Sequence, residues 1–279
     1  MCPDSSTVRG LDGLTAGELA ASRQGWWDEA FAEVLVRRVP SNAKKLIDVG
    51  CGLATAAHAL LPKLPGLAYC GIDADEQRLH QAENLLVGAP YRDRVELRVG
   101  RAECLPFQEH EAEVVLTSMT LQHLPDPDAA VRDIARVLAP GGVFIAVEPD
   151  NTAYEFYFDG VLDKVTDAFR DLFKAQRRER HPRDIAIGPA VAALVERQAL
   201  QVLEFFPYMV GRAKKMTAKN FFDGARQVVN VVAASLPADA REVEAVRATL
   251  VTWEAVVGHS TMGYGCQFAP VFVCVARKP

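Results

Sequence analysis

From Lys44 to Pro149 short apolar runs alternate with stretches whose apolar residues recur at helical spacing. The runs Lys45–Val49, Ala68–Ile72, Val95–Val99, Ala112–Leu116 and Val143–Val147 have strand length. Between them the spacing predicts helices over Thr55–Leu61, Asp75–Val87 and Asp128–Leu138. In the last, Val131, Ile134, Ala135 and Leu138 line one face, Asp126 is a candidate N-cap with Pro127 at the first helical position, and Gly141-Gly142 follow the end. Strands alternating with helices mean βαβ units and a parallel sheet covered on both faces. The core is therefore of the α/β class.

Beyond Pro149 this rhythm breaks. Residues 151 to 186 are rich in aromatics and then in arginine, with no clear strand. A helix over Pro189–Ala199 and a strand over Gln201–Pro207 return to the core. Two further helices are predicted around Phe221–Ser235 and Arg241–Val257, split at Leu236-Pro237, and the chain ends in a strand, Phe268–Val275. The expected organisation is an N-terminal helical segment over the active site (1–43), a core (44–149), a cap insertion (150–188), a return to the core (189–210), a second helical cap insertion (211–262) and a last core strand (263–279). That last strand is expected to insert antiparallel, with the caps folded over the carboxyl edge of the sheet.

Composition narrows the function. Of 279 residues, 49% are hydrophobic and 24% charged, an ordinary globular balance, and the formal net charge of -5 opposes bulk attraction to nucleic acid. No apolar run approaches the roughly 20 residues that span a bilayer, and the start, MCPDSSTVRG, lacks the features of a signal peptide. Six cysteines (Cys2, Cys51, Cys70, Cys104, Cys266 and Cys274) stand singly, which predicts reduced thiols and a cytoplasmic location, with no zinc site.

The segment LIDVGCGLA (46–54) runs an apolar strand into Asp48, Gly50, Cys51 and Gly52, and then into a helix. In open α/β sheets ligands bind outside the carboxyl ends of strands, and glycines there let a ligand approach the backbone. GIDADEQRL (71–79) ends the second strand on Asp73, whose carboxylate can accept from both hydroxyls of a ribose or, alternatively, cap the next helix. GRAECLPF (100–107), TSMTLQHLPD (117–126) and RVLAPGG (136–142) follow in order.

Together these segments resemble the class I S-adenosylmethionine-dependent methyltransferases, in particular the small-molecule enzymes of type 11/25. The resemblance covers residues 44 to 149 and, loosely, the final strand. It implies a Rossmann-like, doubly wound, mostly parallel seven-stranded sheet with an antiparallel last strand, and S-adenosyl-L-methionine as cofactor. By it, Gly50, Cys51 and Gly52 meet the methionine part, Asp48 orders that loop or contacts the cofactor's amino group, and Asp73 binds the ribose beside Ala74. Ala102 and Glu103 lie at the adenine edge, and Thr117 and Ser118 line the floor below the sulfonium. Three residues depart from the family pattern: Arg101 stands where an Asp usually accepts from the adenine amino group, Glu113 replaces an Asp, and Ala54 replaces a frequent third glycine. A dinucleotide fingerprint would require a glycine at Thr55, so a nicotinamide or flavin enzyme fits poorly.

Candidates for catalysis are His123, Glu148, His259 and Tyr264, each of which also has a packing or turn-forming explanation. Asn151, Tyr154, Phe156, Tyr157 and Phe158 either shape an acceptor pocket or pack the cap, and Trp26 and Trp27 either close over the cofactor or anchor a helix. The basic run 174–183 (Lys174, Arg177, Arg178, Arg180 and Arg183) is a solvated face or a clamp for an anionic substrate, and Arg183 is taken as its substrate-binding member. No metal site and no macromolecular methylation motif (NPPY or DPPY) is present. The expected partner is a small-molecule methyl acceptor, with no nucleic acid and no membrane. A cofactor-binding protein that has lost catalysis, or a macromolecule-directed enzyme, are the alternatives.

Overall fold

The computed structural model describes residues 27–159, 163–179, 184–211 and 213–279. A short helix α1 (Glu29–Val36), capped by Asp28, buries Phe31, Ala32 and Leu35. The core then alternates β1 (Lys45–Val49), α2 (Thr55–Leu60), β2 (Ala68–Asp73), α3 (Glu76–Leu86), β3 (Val95–Val99), β4 (Ala112–Ser118), α4 (Pro127–Val137) and β5 (Leu138–Pro149). Strands β1, β2, β4 and β5 are mostly buried because helices cover both faces, whereas the edge strand β3 buries only Val95. Helix α4 begins as its sequence dictates: the Asp126 carboxylate accepts from the Ala129 amide at 2.9 Å, Pro127 occupies the first turn, and Ala130, Val131, Ile134 and Val137 face inward.

The chain continues through β6 (Glu155–Phe158), α5 (Asp163–Glu179), α6 (Val191–Glu196), β7 (Gln201–Val210), β8 (Lys214–Thr217), α7 (Ala218–Ala233), α8 (Arg241–Val257) and β9 (Met262–Arg277). The sheet order is β3-β2-β1-β4-β5-β9, with β7 flanking β9. All neighbours from β3 to β5 run parallel, and β9 is antiparallel to both β5 and β7. This is the doubly wound sheet with a late antiparallel strand, and strand order reverses between β1 and β4.

The last strand is longer than its apolar run suggested. Its second half pairs with β5, from Pro149↔Val271 to Val143↔Arg277. Its first half extends past the carboxyl edge and pairs with β6 (Glu155↔Phe268 to Phe158↔Gly265) and with β8 (Lys214↔Gly265 to Thr217↔Met262). Seven strands thus form the core, and β6 and β8 bring the sheet to nine. The expected absence of a strand in 151–186 is corrected by β6, and the helix expected over Pro189–Ala199 is a 3₁₀ turn, Gly188–Ala190, followed by α6.

Two apolar clusters flank the core sheet, one on each face. A third belongs to the cap, where Phe156, Phe158, Phe169, Phe173, Phe221, Phe222, Val246 and Leu250 join β6, α5, α7 and α8. One further expectation fails: Cys104 is disulfide-bonded, whereas Cys51, Cys70, Cys266 and Cys274 are free thiols. Among the described residues no helix is long and apolar enough to cross a membrane, and no group of three His, Cys, Asp or Glu side chains is placed to hold a metal.

Candidate functional site

Register places the ends of β1, β2 and β4 side by side. Val49 is level with Ile72 and with Thr117, so Gly50, Asp73 and Ser118 each stand one residue further, at the carboxyl edge where strand order reverses. The turn after β1 folds back on β2: the Gly50 and Cys51 amides both donate to the Ile72 carbonyl, at 2.7 and 3.0 Å. Gly50 and Gly52 have φ of +74° and +53°. A Cβ on Gly50 would lie 2.4 Å from the Thr120 side chain, so glycine is required there by conformation and by space. Ala54 adopts the same left-handed conformation, φ +54°, where a third glycine would have been easier.

Asp73 closes the pair of turns. Its Oδ2 accepts from the Gly52 amide at 2.8 Å and its Oδ1 from the Asp75 amide at 2.9 Å. A carboxylate has about four lone-pair positions, so two remain for hydroxyl donors. The cap of α3 is Asp75, which accepts from the Gln77 and Arg78 amides, and Asp73 is not used for that purpose. Asp48 is buried below the turn and accepts from the Tyr69 hydroxyl at 2.5 Å.

Ala74 is partly exposed beside Asp73, and the Gly100 amide donates to the Asp73 carbonyl at 2.9 Å. Arg101, Ala102 and Glu103 therefore follow directly at the outer end of the same edge. Ala102 is buried, while Arg101 and Glu103 form a loose ion pair at 3.5 Å. The downstream motifs are scaffold. Arg136 donates to the carbonyls of Phe107 and Leu105 and pairs with Asp133, and Asp133 accepts from the Leu105 amide, so the LPF turn is clamped onto α4.

Thr117 and Ser118 end β4 in the buried floor, and the Ser118 hydroxyl has no hydrogen-bond partner among the described residues. Met119 follows with φ +55°, a strained conformation for a side chain of this kind. Glu148, expected to point at an acceptor, does something else. It is fully buried and accepts from the backbone amides of Thr120, Leu121 and Gln122 at 3.1, 3.0 and 3.4 Å, capping the 3₁₀ turn Leu121–His123. Burial pushes its pKa up to about 7, and the three amides hold it below what burial alone would impose. A group so enclosed positions the loop and is not exposed to a substrate.

His123 ends that turn, partly buried, its amide bonded to the Thr120 carbonyl. Asn151 is brought next to the same loop: its Nδ2 donates to Gln122 Oε1 at 2.9 Å and to the Ile185 carbonyl at 2.8 Å. Gln122, Met119 and Thr120 are thus parts of the floor that sequence reasoning missed, and nothing in their residue types signalled it.

His259 and Tyr264 are not brought to this edge. Tyr264 lies within β9 rather than in a loop, seven residues before Val271, the residue level with the end of β5. At strand rise that is about 23 Å along the chain. His259 is largely exposed and pairs with Glu254 at 2.9 Å in the cap. Tyr154 stacks on Phe156 and Phe173 at 5.0 and 5.5 Å, its phenol pushed up to about 12 by burial, and Phe156 and Phe158 are fully buried in the cap. Tyr157 faces the other way along β6, with its hydroxyl 3.5 Å from Asp159.

Trp27 packs on Phe31, which meets Tyr208, so it anchors α1 to the sheet. The basic run is largely spoken for by carboxylates: Lys174 with Asp171, Arg177 with Asp184, and Arg178 with Glu242. Arg183, with Arg180 and Trp26, lies outside the described residues.

A family model described as "Methyltransferase domain" matches residues 47–146. A demethylmenaquinone methyltransferase of Desulfitobacterium hafniense is 32% identical over 126 residues, covering 45% of this chain and 48% of that protein. The chain thus spans about half the length of that relative. Among solved structures, the [4+2]-cyclase SpnF superposes with a TM-score of 0.53 at 18% identity, covering 90% of this chain and 80% of that one. A geranyl diphosphate C-methyltransferase from Streptomyces coelicolor A3(2), solved with Mg2+, geranyl diphosphate and S-adenosyl-L-homocysteine, gives 0.51 at 13% identity, covering 90% and 78%. At such identities the structures show a shared architecture, and a cyclase and a methyltransferase on one fold show that architecture alone does not choose the reaction.

Proposed function

Since residues 47–146 belong to the class I S-adenosylmethionine-dependent methyltransferase domain family, we propose that this protein transfers a methyl group from S-adenosylmethionine to N or O of a small-molecule metabolite or natural-product intermediate. The observation that carries the reading is the pair of turns at the switch point, in which the Gly52 amide and the Asp73 carboxylate are joined while two acceptor positions on Asp73 remain. The buried Ser118 hydroxyl, unpartnered among the described residues, adds a polar group at the floor that fits a bound polar ligand.

In this reading Gly50, Cys51 and Gly52 hold the methionine part, with Asp48 anchoring their loop from below. Asp73 holds the ribose with Ala74 beside it, and Ala102 and Glu103 border the base. When bound, the cofactor supplies an electrophilic methyl carbon on a sulfonium. The protein's part is to orient an acceptor in line with that carbon and to exclude water, and orientation alone contributes roughly 7–11 kcal/mol. Thr117, Ser118 and the loop held by Glu148 form the surface against which the acceptor is oriented, and Asn151, bonded to Gln122, borders it. Of the four candidates for a proton acceptor, His123 stays beside the floor. The cap over the carboxyl edge, and a relative named for methylating demethylmenaquinone, both favour a small acceptor over a macromolecule.

Calorimetric titration with S-adenosylmethionine, and separately with S-adenosylhomocysteine, tests the reading. Stoichiometric micromolar binding of both is expected. Asp73→Ala should weaken each about 100-fold or more, because two hydrogen bonds to a charged group contribute roughly 1.5–3 kcal/mol each. Folded protein that binds neither ligand would sink the proposal.

A further inference from the structure

Beneath the floor of the cleft lies a buried acid that no lysine, arginine or histidine pairs among the described residues. Register sets Val147 level with Ser118, so Glu148 stands one residue beyond the end of β4, on the same carboxyl edge as the floor. A single residue separates it from the glycine turn. Thr120 donates its amide to Glu148 at 3.1 Å and its hydroxyl to the Gly50 carbonyl at 3.4 Å, and its side chain fills the space into which a Gly50 Cβ would point.

The carboxylate is held by neutral donors, the amides of Thr120, Leu121 and Gln122. Around it, the Thr117 side chain faces it from β4, Phe272 is its partner on β9, and Gly188 backs onto its carbonyl. Titratable neighbours along the same edge are His123, which ends the capped turn, and Asp48 and Asp73 at the glycine turn. A buried charge without a counter-charge is costly, and with a pKa of about 7 the carboxyl is divided between its two forms near neutrality. A cation entering the cleft meets, in the ionised form, an attraction that solvent screens weakly.

In the cofactor reading proposed above, on which this inference rests, the methionine part lies on the glycine turn and the sulfonium over Thr117 and Ser118. The sulfonium is a fixed positive charge, and methyl transfer leaves the same sulfur as an uncharged thioether. We propose that Glu148 is the buried counter-charge of that sulfonium, a specificity-determining residue whose ionised carboxylate makes the site hold S-adenosylmethionine more tightly than S-adenosylhomocysteine. The two ligands share base, ribose and amino-acid contacts, so the ratio of their affinities isolates the charge on sulfur. Loss of that charge on transfer then favours exchange of product for fresh cofactor.

The test is calorimetry of both ligands at pH 5.5 and 8.5, with the wild type and Glu148→Gln. The variant is the reference at each pH, so that ionisation of the ligands, His123, Asp48 and Asp73 cancels. At pH 5.5 the two proteins should give nearly the same ratio. At pH 8.5 the wild-type ratio should lie about 3–10-fold further toward S-adenosylmethionine, as a unit charge acting across part of a protein interior allows. Carboxyl 13C NMR of the wild type reads the same coupling without a variant. By reciprocity Glu148 should titrate about 0.5–1 pH unit lower in the S-adenosylmethionine complex than in the S-adenosylhomocysteine complex. A ratio that changes with pH equally in both proteins, or the same Glu148 titration in both complexes, overturns the inference while the cofactor reading stands. Folded wild type that binds neither ligand overturns both.

Discussion

Glu148, at the end of β5, is fully buried and its carboxylate is held by the turn after β4. An acid at the end of a core strand suggests catalysis, but its direction depends on the turn after β4, thirty residues earlier in the chain, which no local pattern reports. Enclosed among three amides, its carboxyl has a pKa of about 7 in the fold, above the ordinary 4.5. A raised acid contributes stability that is full below about pH 4.5 and is lost as pH climbs through 7. A shift of that size corresponds to about 3 kcal/mol. Glu148→Gln removes the ionisation. Urea unfolding at pH 5 and pH 8 should therefore show the wild type losing about 2.5 kcal/mol more than the variant over that interval, since a little of the loss has already occurred by pH 5, and equal losses in both proteins would refute the assignment. By contrast Gly50, Gly52 and Asp73 were legible, because a glycine turn and the carboxylate 21 residues beyond it are both defined by their own strand ends.

At the scale of elements, the helices and strands of residues 44 to 149 followed from periodicity, since the central strands are buried on both faces and each helix on one, and only the edge strand β3 is largely open. β6 did not. Four residues, Glu-Phe-Tyr-Phe, carry too short an alternation to separate a strand from a loop, and its partner β9 lies more than a hundred residues away. The beginning of β9 was missed for a related reason: Met262, Gly263, Tyr264 and Gly265 look like a turn, and only pairing with β6 and β8 on either side extends them into a strand. Helix α6 ends with a different irregularity. Ala199, exposed, has φ +58° just past the helix, a position at which glycine is the usual residue. The left-handed conformation costs an L-residue roughly 1–2 kcal/mol, offset by about 0.4–1 kcal/mol from glycine's freer unfolded chain. Ala199→Gly should thus raise unfolding stability by about 0.5–1 kcal/mol in chemical denaturation. A loss of stability would show that the end of α6 is held by something other than its backbone geometry.

For the molecule as a whole, the interruption of the βαβ rhythm after Pro149 was visible in sequence, but the separate apolar core beyond it was not, because its residues come from β6, α5, α7 and α8 together. That core is braced by charge. Arg226 on α7 donates to both oxygens of Glu254 on α8, at 2.7 and 3.3 Å, and to Asp223 at 2.7 Å. The Arg226 hydrogen bond holds the Glu254 carboxyl below its ordinary pKa, although only 8% of that side chain is exposed. Removing one partner of a buried pair costs roughly 3–5 kcal/mol, since it strands a buried charge. Arg226 is one-third exposed and His259 stays beside Glu254, so Arg226→Ala should fall at the low end, about 3 kcal/mol. Because the cap has its own core, that loss should be local. Hydrogen exchange should quicken in α7, α8 and β8 while β1, β2 and β4 keep their protection, and S-adenosylhomocysteine affinity should stay within about threefold, as for sites that do not share partners. Uniform loss of protection across cap and core would mean that β9, which runs through both, welds them into a single cooperative unit.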